Sequence, residues 1–388
     1  MDLSAIQSSL RERKLDGWLF YDHHHRDPIA YRLLGLSEKL HVTRRWFYLI
    51  PAQGEPQKLV HRVEPKHLDN LPGNKREYSA WQEQHQGLKD MLAGVTKIAM
   101  QYSENNQVPL IGLVDAGTVE LLRSFGKEIV TSGDLVAQYE ATLSAEQIAS
   151  HFAARDQVDP IMASAFKFIR ERVNNGGTDE FKVQQFIMDG FKRADLITDD
   201  PPIVGVNANS GNPHYAPSPQ TAKPIHEGDF VLIDMWAKLN KPGSVFYDIT
   251  WTGVVGKSAS DKQREIFEIV RGGRDAGIKV VQDAFAAKRR IGGWEVDKAT
   301  RDYITSKGYG KYFAHRTGHS IGVEIHSTGA NMDNLETKDD REIIPNTCFS
   351  IEPGIYLPEF GVRSEIDMIV RNGKAEVSGR IQNELVLM

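Results

Sequence analysis

Cysteine is nearly absent. Cys348 is the one example in 388 residues, so no intramolecular disulfide can form and no cysteine-built metal site is available, a pattern that suits a reducing compartment and makes a cytoplasmic protein the expectation. A surplus of either charge is missing as well: 47 Lys and Arg against 52 Asp and Glu leave a formal net charge of -5. Such a balance gives no global field that would draw in nucleic acid or an anionic membrane, so neither is expected as a partner. No uncharged apolar run reaches bilayer-spanning length, and the first residues carry Asp2, Arg11, Glu12 and Arg13 in place of the apolar core of a secretion signal. Internal repeats and low-complexity tracts are also lacking. What remains, 40% hydrophobic and 26% charged residues with 33 Gly and 17 Pro, is the composition of a folded globular chain, which excludes disordered, collagen-like and coiled-coil classes. At roughly 150 residues per domain the length suggests two or three domains.

Periodicity divides the chain. Leu3, Ile6 and Leu10 at helical spacing, the turn Lys14–Gly17 and the apolar run Trp18–Tyr21 read as helix, turn and strand. Two β-rich runs around Ala52–Pro56 read as a hairpin, Lys97–Tyr102 as a strand, 81–94 and 114–125 as helices, and 128–131 as a last strand. Ser144 is a natural N-cap for a long helical pattern, which places a boundary near residue 138, with an α/β domain over 1–137 and a second domain over 138–388. Pro160 is expected to break or kink that helix, with further amphipathic segments at Ala163–Val173 and Thr178–Ala194. Beyond residue 200, strand-like runs at Phe230–Trp236, Val245–Val255, Cys348–Ile355 and Ser364–Val370 surround helical patterns at 260–288 and 294–307. The second domain therefore reads as α+β around a largely antiparallel sheet.

Four carboxylates interrupt these apolar strand patterns: Asp234, Asp248, Glu352 and Glu365. A buried carboxylate is costly unless it is paired or coordinates a metal. Between the two pairs lies His315-Arg316-Thr317-Gly318-His319-Ser320-Ile321-Gly322-Val323-Glu324-Ile325-His326, with three histidines. Oxygen-rich ligation with an imidazole suits a pair of divalent ions such as Mn, Co, Fe or Zn. Taken singly, each carboxylate could equally face solvent or a basic partner, and each histidine could be an ordinary surface or core residue. Spacing alone leaves both readings open.

The blocks HRTGHSIGVEIH, SIEPGIY and GVRSEIDMIV resemble the signatures of the creatinase/aminopeptidase P/prolidase group. The resemblance implies a pita-bread catalytic domain preceded by a smaller creatinase-type α/β domain, and two divalent metal ions, Mn first and Co, Zn or Fe after it. It implies Asp234, Asp248, His319, Glu352 and Glu365 as ligands, Asp248 and Glu365 bridging both ions, Asp234 on one, and His319 with Glu352 on the other. It further implies Glu352 as the group that takes a proton from a water held between the ions, with His326, His214 and Arg363 as catalytic partners. His214, His315, His326 and Arg363 are the implied substrate contacts. The implied reaction is hydrolysis of an Xaa-Pro peptide bond in a small peptide, as an Xaa-Pro dipeptidase. An Xaa-Pro aminopeptidase on longer peptides, or a hydrolase or lyase acting on a non-peptide small molecule, is the alternative, and a homodimer is the implied assembly.

Asp248 follows Asp234 by fourteen residues, a longer interval than the family's usual one, which a hairpin loop centred on Lys241-Pro242-Gly243 accommodates with both aspartates on adjacent strands. Other features invite a plainer reading. His23-His24-His25 reads as a loop after a strand more readily than as a metal site or as a loop reaching a partner subunit, and Cys348 as a buried structural thiol more readily than as a nucleophile.

Overall fold

The computed structural model describes residues 2–388, which form two compact units divided between Glu140 and Ala141. In the first, Asp2 caps helix α1 (Leu3–Glu12) by accepting the Ala5 N–H, and the chain turns through Lys14 into strand β1 (Gly17–Asp22). Helix α2 (Pro28–Leu34) starts on the Asp27 cap with proline in its first turn, where a missing N–H costs nothing. Strands β2 (Trp46–Pro51) and β3 (Gln57–His61) form the expected antiparallel hairpin. Strand β4 (Asn74–Tyr78), helix α3 (Trp81–Met91), strand β5 (Lys97–Met100), helix α4 (Ala116–Ser124) and strand β6 (Glu128–Thr131) follow.

The six strands lie in the order β4-β3-β2-β1-β5-β6, and β2 alone runs against the rest. Every residue of β1 and β2 is buried because both faces of the sheet are covered. Trp18, Phe20 and Tyr48 pack with Ile6, Leu10 and Ile29 on the α1–α2 side, while Leu19, Phe47 and Leu49 pack with Leu88, Met91 and Leu122 on the α3–α4 side. The period-2 alternation of a strand does this sorting. His24 and His25 sit in the left-handed region, and the Asp22 carboxylate accepts the N–H groups of His25, Arg26 and Asp27. The three histidines thus form a turn wrapped on Asp22.

In the second unit, Ser144 and Gln147 form a capping box for helix α5, which runs unbroken over Ala145–Asn174. The break expected at Pro160 does not occur. Proline removes one intrahelical hydrogen bond, but Ala154, Val158, Met162, Ala165 and Phe166 anchor the helix in a single core on both sides of it. Helix α6 (Glu180–Arg193) completes that layer, and the pair covers a sheet of β7 (Ile203–Val206), β8 (Phe230–Leu239) and β9 (Tyr247–Val254). Helices α7 (Asp261–Ala286) and α8 (Gly293–Ser306) follow. They back a second sheet made by β10 (Ser320–Ile321), β11 (Cys348–Ile351), β14 (Ile366–Arg371) and β15 (Lys374–Val377), with β12 (Gly354–Tyr356) and β13 (Gly361–Arg363) as a separate ribbon.

The expected continuous strand Cys348–Ile355 is therefore interrupted at Glu352–Pro353, and the strand expected over Ser364–Val370 starts only at Ile366, leaving Ser364–Glu365 between β13 and β14. Pro353 has no N–H to offer a ladder, so pairing passes from Ile351↔Ile366 directly to Gly354↔Arg363. Both glutamates fall in the resulting gap. The two sheets of this unit meet beside it, where the Glu365 N–H donates to the Thr250 carbonyl at 3.2 Å. Among the described residues, no helix is long and apolar enough to cross a membrane.

Candidate metal centre

The hairpin β8–β9 supplies the first two acidic groups. Its register pairs Asp234 with Thr250 and Trp236 with Asp248, so the long Asp234-to-Asp248 interval is taken up by the loop beyond the strands, where Gly243 turns at φ 79°. Alternation buries Ile233, Met235 and Ile249 against the helices and turns Asp234, Trp236 and Asp248 to the other side. That side opens on a cavity of about 650 Å³, lined also by His214, His315, His319, His326, Glu352, Arg363 and Glu365. All nine residues singled out in the sequence line this one cavity.

His319 enters from the residue before β10 and donates its backbone N–H to Ser350 Oγ. Gly318 beside it has no room for a side chain, since a Cβ there would lie 2.0 Å from the Ser350 carbonyl oxygen. The His319 Nε2 atom stands 3.4 Å from Glu352 Oε1 and 3.6 Å from Asp248 Oδ2. Asp248, His319 and Glu365 each present one donor atom within 4.8 Å of the other two. Arg363 pairs with Asp234 through Nη2 and donates through Nε to Thr250 Oγ1 at 3.0 Å, and the Thr250 hydroxyl in turn donates to Glu365 Oε2 at 2.6 Å. Tyr356 hydroxyl lies 2.6 Å from His315 Nε2 and accepts from Arg363 Nη1 at 3.3 Å. His326 packs edge-on against His319, with ring centroids 4.4 Å apart.

Six carboxylates thus line the cavity, Asp234, Asp248, Glu352 and Glu365 together with Asp200 and Glu336, against two guanidinium groups, Arg316 and Arg363. Burial, and then the neighbouring carboxylates, push Asp248 and Glu365 well above the ordinary carboxylate range; burial raises Asp234 against the pull of Arg363. Burial acts on Glu352 too, but its attraction for a proton on His319 or His315 and for the Arg363 and Arg316 guanidinium groups outweighs it and holds that carboxyl below its usual value. Burial lowers His319 and takes His315 down to about 4, which favours neutral imidazoles; His319 can offer a lone pair through Nε2, whereas both ring nitrogens of His315 are engaged, with the Arg316 carbonyl and the Tyr356 hydroxyl. Asp248 Oδ1 is buried without any hydrogen-bond partner. An orphaned carboxylate oxygen among mutually repelling acids, faced by a neutral imidazole, has the chemistry that a divalent cation would satisfy.

Three participants escaped the sequence reading. Thr250 is two residues after Asp248 and so on the same strand face, a signal that strand alternation offers. Tyr356 ends the SIEPGIY block. Asp367, whose carboxylate accepts the Asp248 backbone N–H at 2.8 Å, is an acid inside the apolar run Ile366–Val370 and so carries the same signal as Asp234 and Asp248.

The model of metallopeptidase family M24 matches residues 151–372, more than half of the sequence. The chain belongs to that family. Among curated M24 relatives, an Xaa-Pro dipeptidase of Lactobacillus helveticus is 40% identical over 164 residues, 42% of this chain and 40% of that one. An Xaa-Pro dipeptidase of Lactobacillus delbrueckii subsp. lactis is 36% identical over 203 residues, covering 52% and 50%. The chain thus matches about half the length, or less, of these relatives. Among solved structures, an Xaa-Pro dipeptidase from Bacillus anthracis superposes with a TM-score of 0.61 at 25% identity, covering 100% of this chain and 99% of that one. Dipeptidase PepE from Mycobacterium ulcerans gives 0.67 at 21% identity, covering 99% and 96%. The M24 chain therefore has the pita-bread fold of the creatinase/prolidase group, and the family brings divalent metal ions with it.

Proposed function

We propose that this M24 chain hydrolyses the Xaa-Pro bond of dipeptides with two divalent ions, manganese foremost, held by Asp234, Asp248, His319, Glu352 and Glu365. The observation that carries this reading is the meeting of those five donors in one buried cavity with an acidic excess that only cations can balance. When bound, such ions polarise a scissile carbonyl and make a water between them more acidic.

The chain's own residues supply the rest. Arg363 and Thr250 fix Asp234 and Glu365 in orientation, which sets the geometry of the donors. Glu352, held ionised and steadied by a 3.1 Å hydrogen bond from Ser350 Oγ, is the proton acceptor for the attacking water and the donor to the leaving nitrogen. His214 and His326 line the cavity, and neither ring makes a hydrogen bond among the described residues, so both are available to the oxygen and the leaving side of a substrate. His315, clamped by Tyr356, shapes the floor.

A bond before proline is a tertiary amide without an N–H, so an enzyme that grips that N–H has no purchase on it. Activation through the carbonyl and the water needs no such grip. The Xaa-Pro dipeptidase names of the Lactobacillus relatives support the substrate class, and the putative Xaa-Pro aminopeptidase of Mycoplasma pneumoniae, 32% identical over 249 residues, supports the longer-peptide alternative. A homodimer goes with the same reading, and light scattering reads it directly.

The test is a comparison of Ala-Pro, Ala-Pro-Pro and Ala-Gly. Cleavage of Ala-Pro alone is the expected result, cleavage of the tripeptide as well assigns an aminopeptidase, and a manganese-loaded chain that cleaves neither proline peptide overturns the proposal.

A further inference from the structure

The N-terminal unit carries a second cavity, of about 760 Å³, built wholly from its own residues. It lies where the parallel strands end: Tyr21 is the last residue but one of β1, His61 closes β3 and Tyr78 closes β4, while Arg44 and Arg45 stand just before the reversed strand β2. Helix α4 brings its first turn, Gly117 and Thr118, to the same place. In open α/β sheets this carboxyl edge is where loops diverge and ligands settle.

The lining is cationic and aromatic. Arg26, Arg44 and Arg45 all face the cavity, and none forms an ion pair with a carboxylate among the described residues. His23, His61 and His85 join them, and the one lining carboxylate, Asp115, is engaged as the α4 cap by the N–H and hydroxyl of Thr118. The guanidinium charges are felt inside: after burial and His24, Arg26 and Arg45 push the His23 imidazole further below its usual value. At the rim Trp81 leaves 61% of its surface exposed, its indole edge-on to His85 at 5.1 Å between centroids. Among the described residues the Arg44 guanidinium donates only to the carbonyl and hydroxyl of its neighbour Thr43, so three guanidinium groups without an ion pair and an exposed indole line one cavity.

We propose that the N-terminal unit binds a phosphate monoester carrying an aromatic ring, a mononucleotide by chemical class, with its phosphate on Arg44, Arg45 and Arg26 and its ring against Trp81. Guanidinium forks match phosphate oxygens in pairs. The volume suits a ligand of that size. Stacking on Trp81 supplies the part of the affinity that a bare anion would lack. The site goes beyond the hydrolytic function and shares no residue with it.

Calorimetric titration of the full chain with AMP, ribose 5-phosphate, inorganic phosphate and adenosine tests the assignment. AMP is expected to bind, at least about tenfold more weakly to R44A/R45A, the loss expected for charge-assisted hydrogen bonds, and several-fold more weakly to W81A. Ribose 5-phosphate and adenosine are each expected to bind more weakly than AMP. Both variants change exposed side chains and should keep the wild-type melting temperature; R26A replaces the double variant if that one does not fold. No AMP binding, AMP binding indifferent to these substitutions, or inorganic phosphate binding as tightly as AMP overturns the proposal.

Discussion

Replacing Asp248 by asparagine should make the metal-free protein more stable while removing its response to metal. In the absence of ions, Asp248 is buried to 4% exposure, its Oδ1 has no hydrogen-bond partner, and Asp234 and Glu352 repel its charge. An unsatisfied buried polar group costs about 1–3 kcal/mol, and a charged one more. Asparagine keeps the shape and removes the charge, so the metal-free chain should gain about 1–3 kcal/mol at pH 8. For a unit of this size that is a rise of very roughly 2–10 °C in Tm. The wild type should recover more than this on adding manganese, since a ligand at a thousandfold its Kd contributes about 4 kcal/mol; D248N should recover little. Thermal melts in chelator and in excess manganese give all four values. A D248N protein that melts below wild type in chelator, or one that rises with manganese as the wild type does, would refute the idea that this carboxylate is held for a cation.

Glu352→Gln should bind metal yet lose hydrolysis by about 10²-fold or more, read from kcat on Ala-Pro with metal content measured in parallel. The metal-induced rise in Tm should be larger at pH 8 than at pH 6: Asp248 and Glu365 have raised values in the fold, so their stabilising protonation is complete below the unfolded carboxylate range and is lost as the pH climbs, leaving a repelling cluster that cations relieve. Gly318→Ala should cost several kcal/mol, seen as a lowered midpoint in urea, because its Cβ would meet the Ser350 carbonyl at 2.0 Å. Cys348, fully buried with its thiol pushed well up by burial, should resist a thiol reagent in the native protein and react with one equivalent after unfolding.

Much of the catalytic half was legible because its chemistry violates its local pattern. Asp234 and Asp248 stand out as acids inside strands, and alternation alone turns them to one face once the hairpin register is known. Glu352 and Glu365 were legible as residues but not as a break in the sheet, although Pro353, which cannot pair, carried that signal. Pro160 misled in the opposite direction: its local cost is real, and a core formed by residues from six other elements overrides it. The cationic edge of the first unit was invisible because its residues come from the ends of separate strands and helices, with no shared spacing to betray them.

If this cavity works through cations, metal-stripped protein titrated with manganese, with Ala-Pro cleavage followed against the number of ions bound per chain, should show no cleavage without metal and full activity once two ions are bound. Cleavage at the full rate by the stripped protein, or activity that is complete with no ion in the five-donor cavity, would contradict that reading.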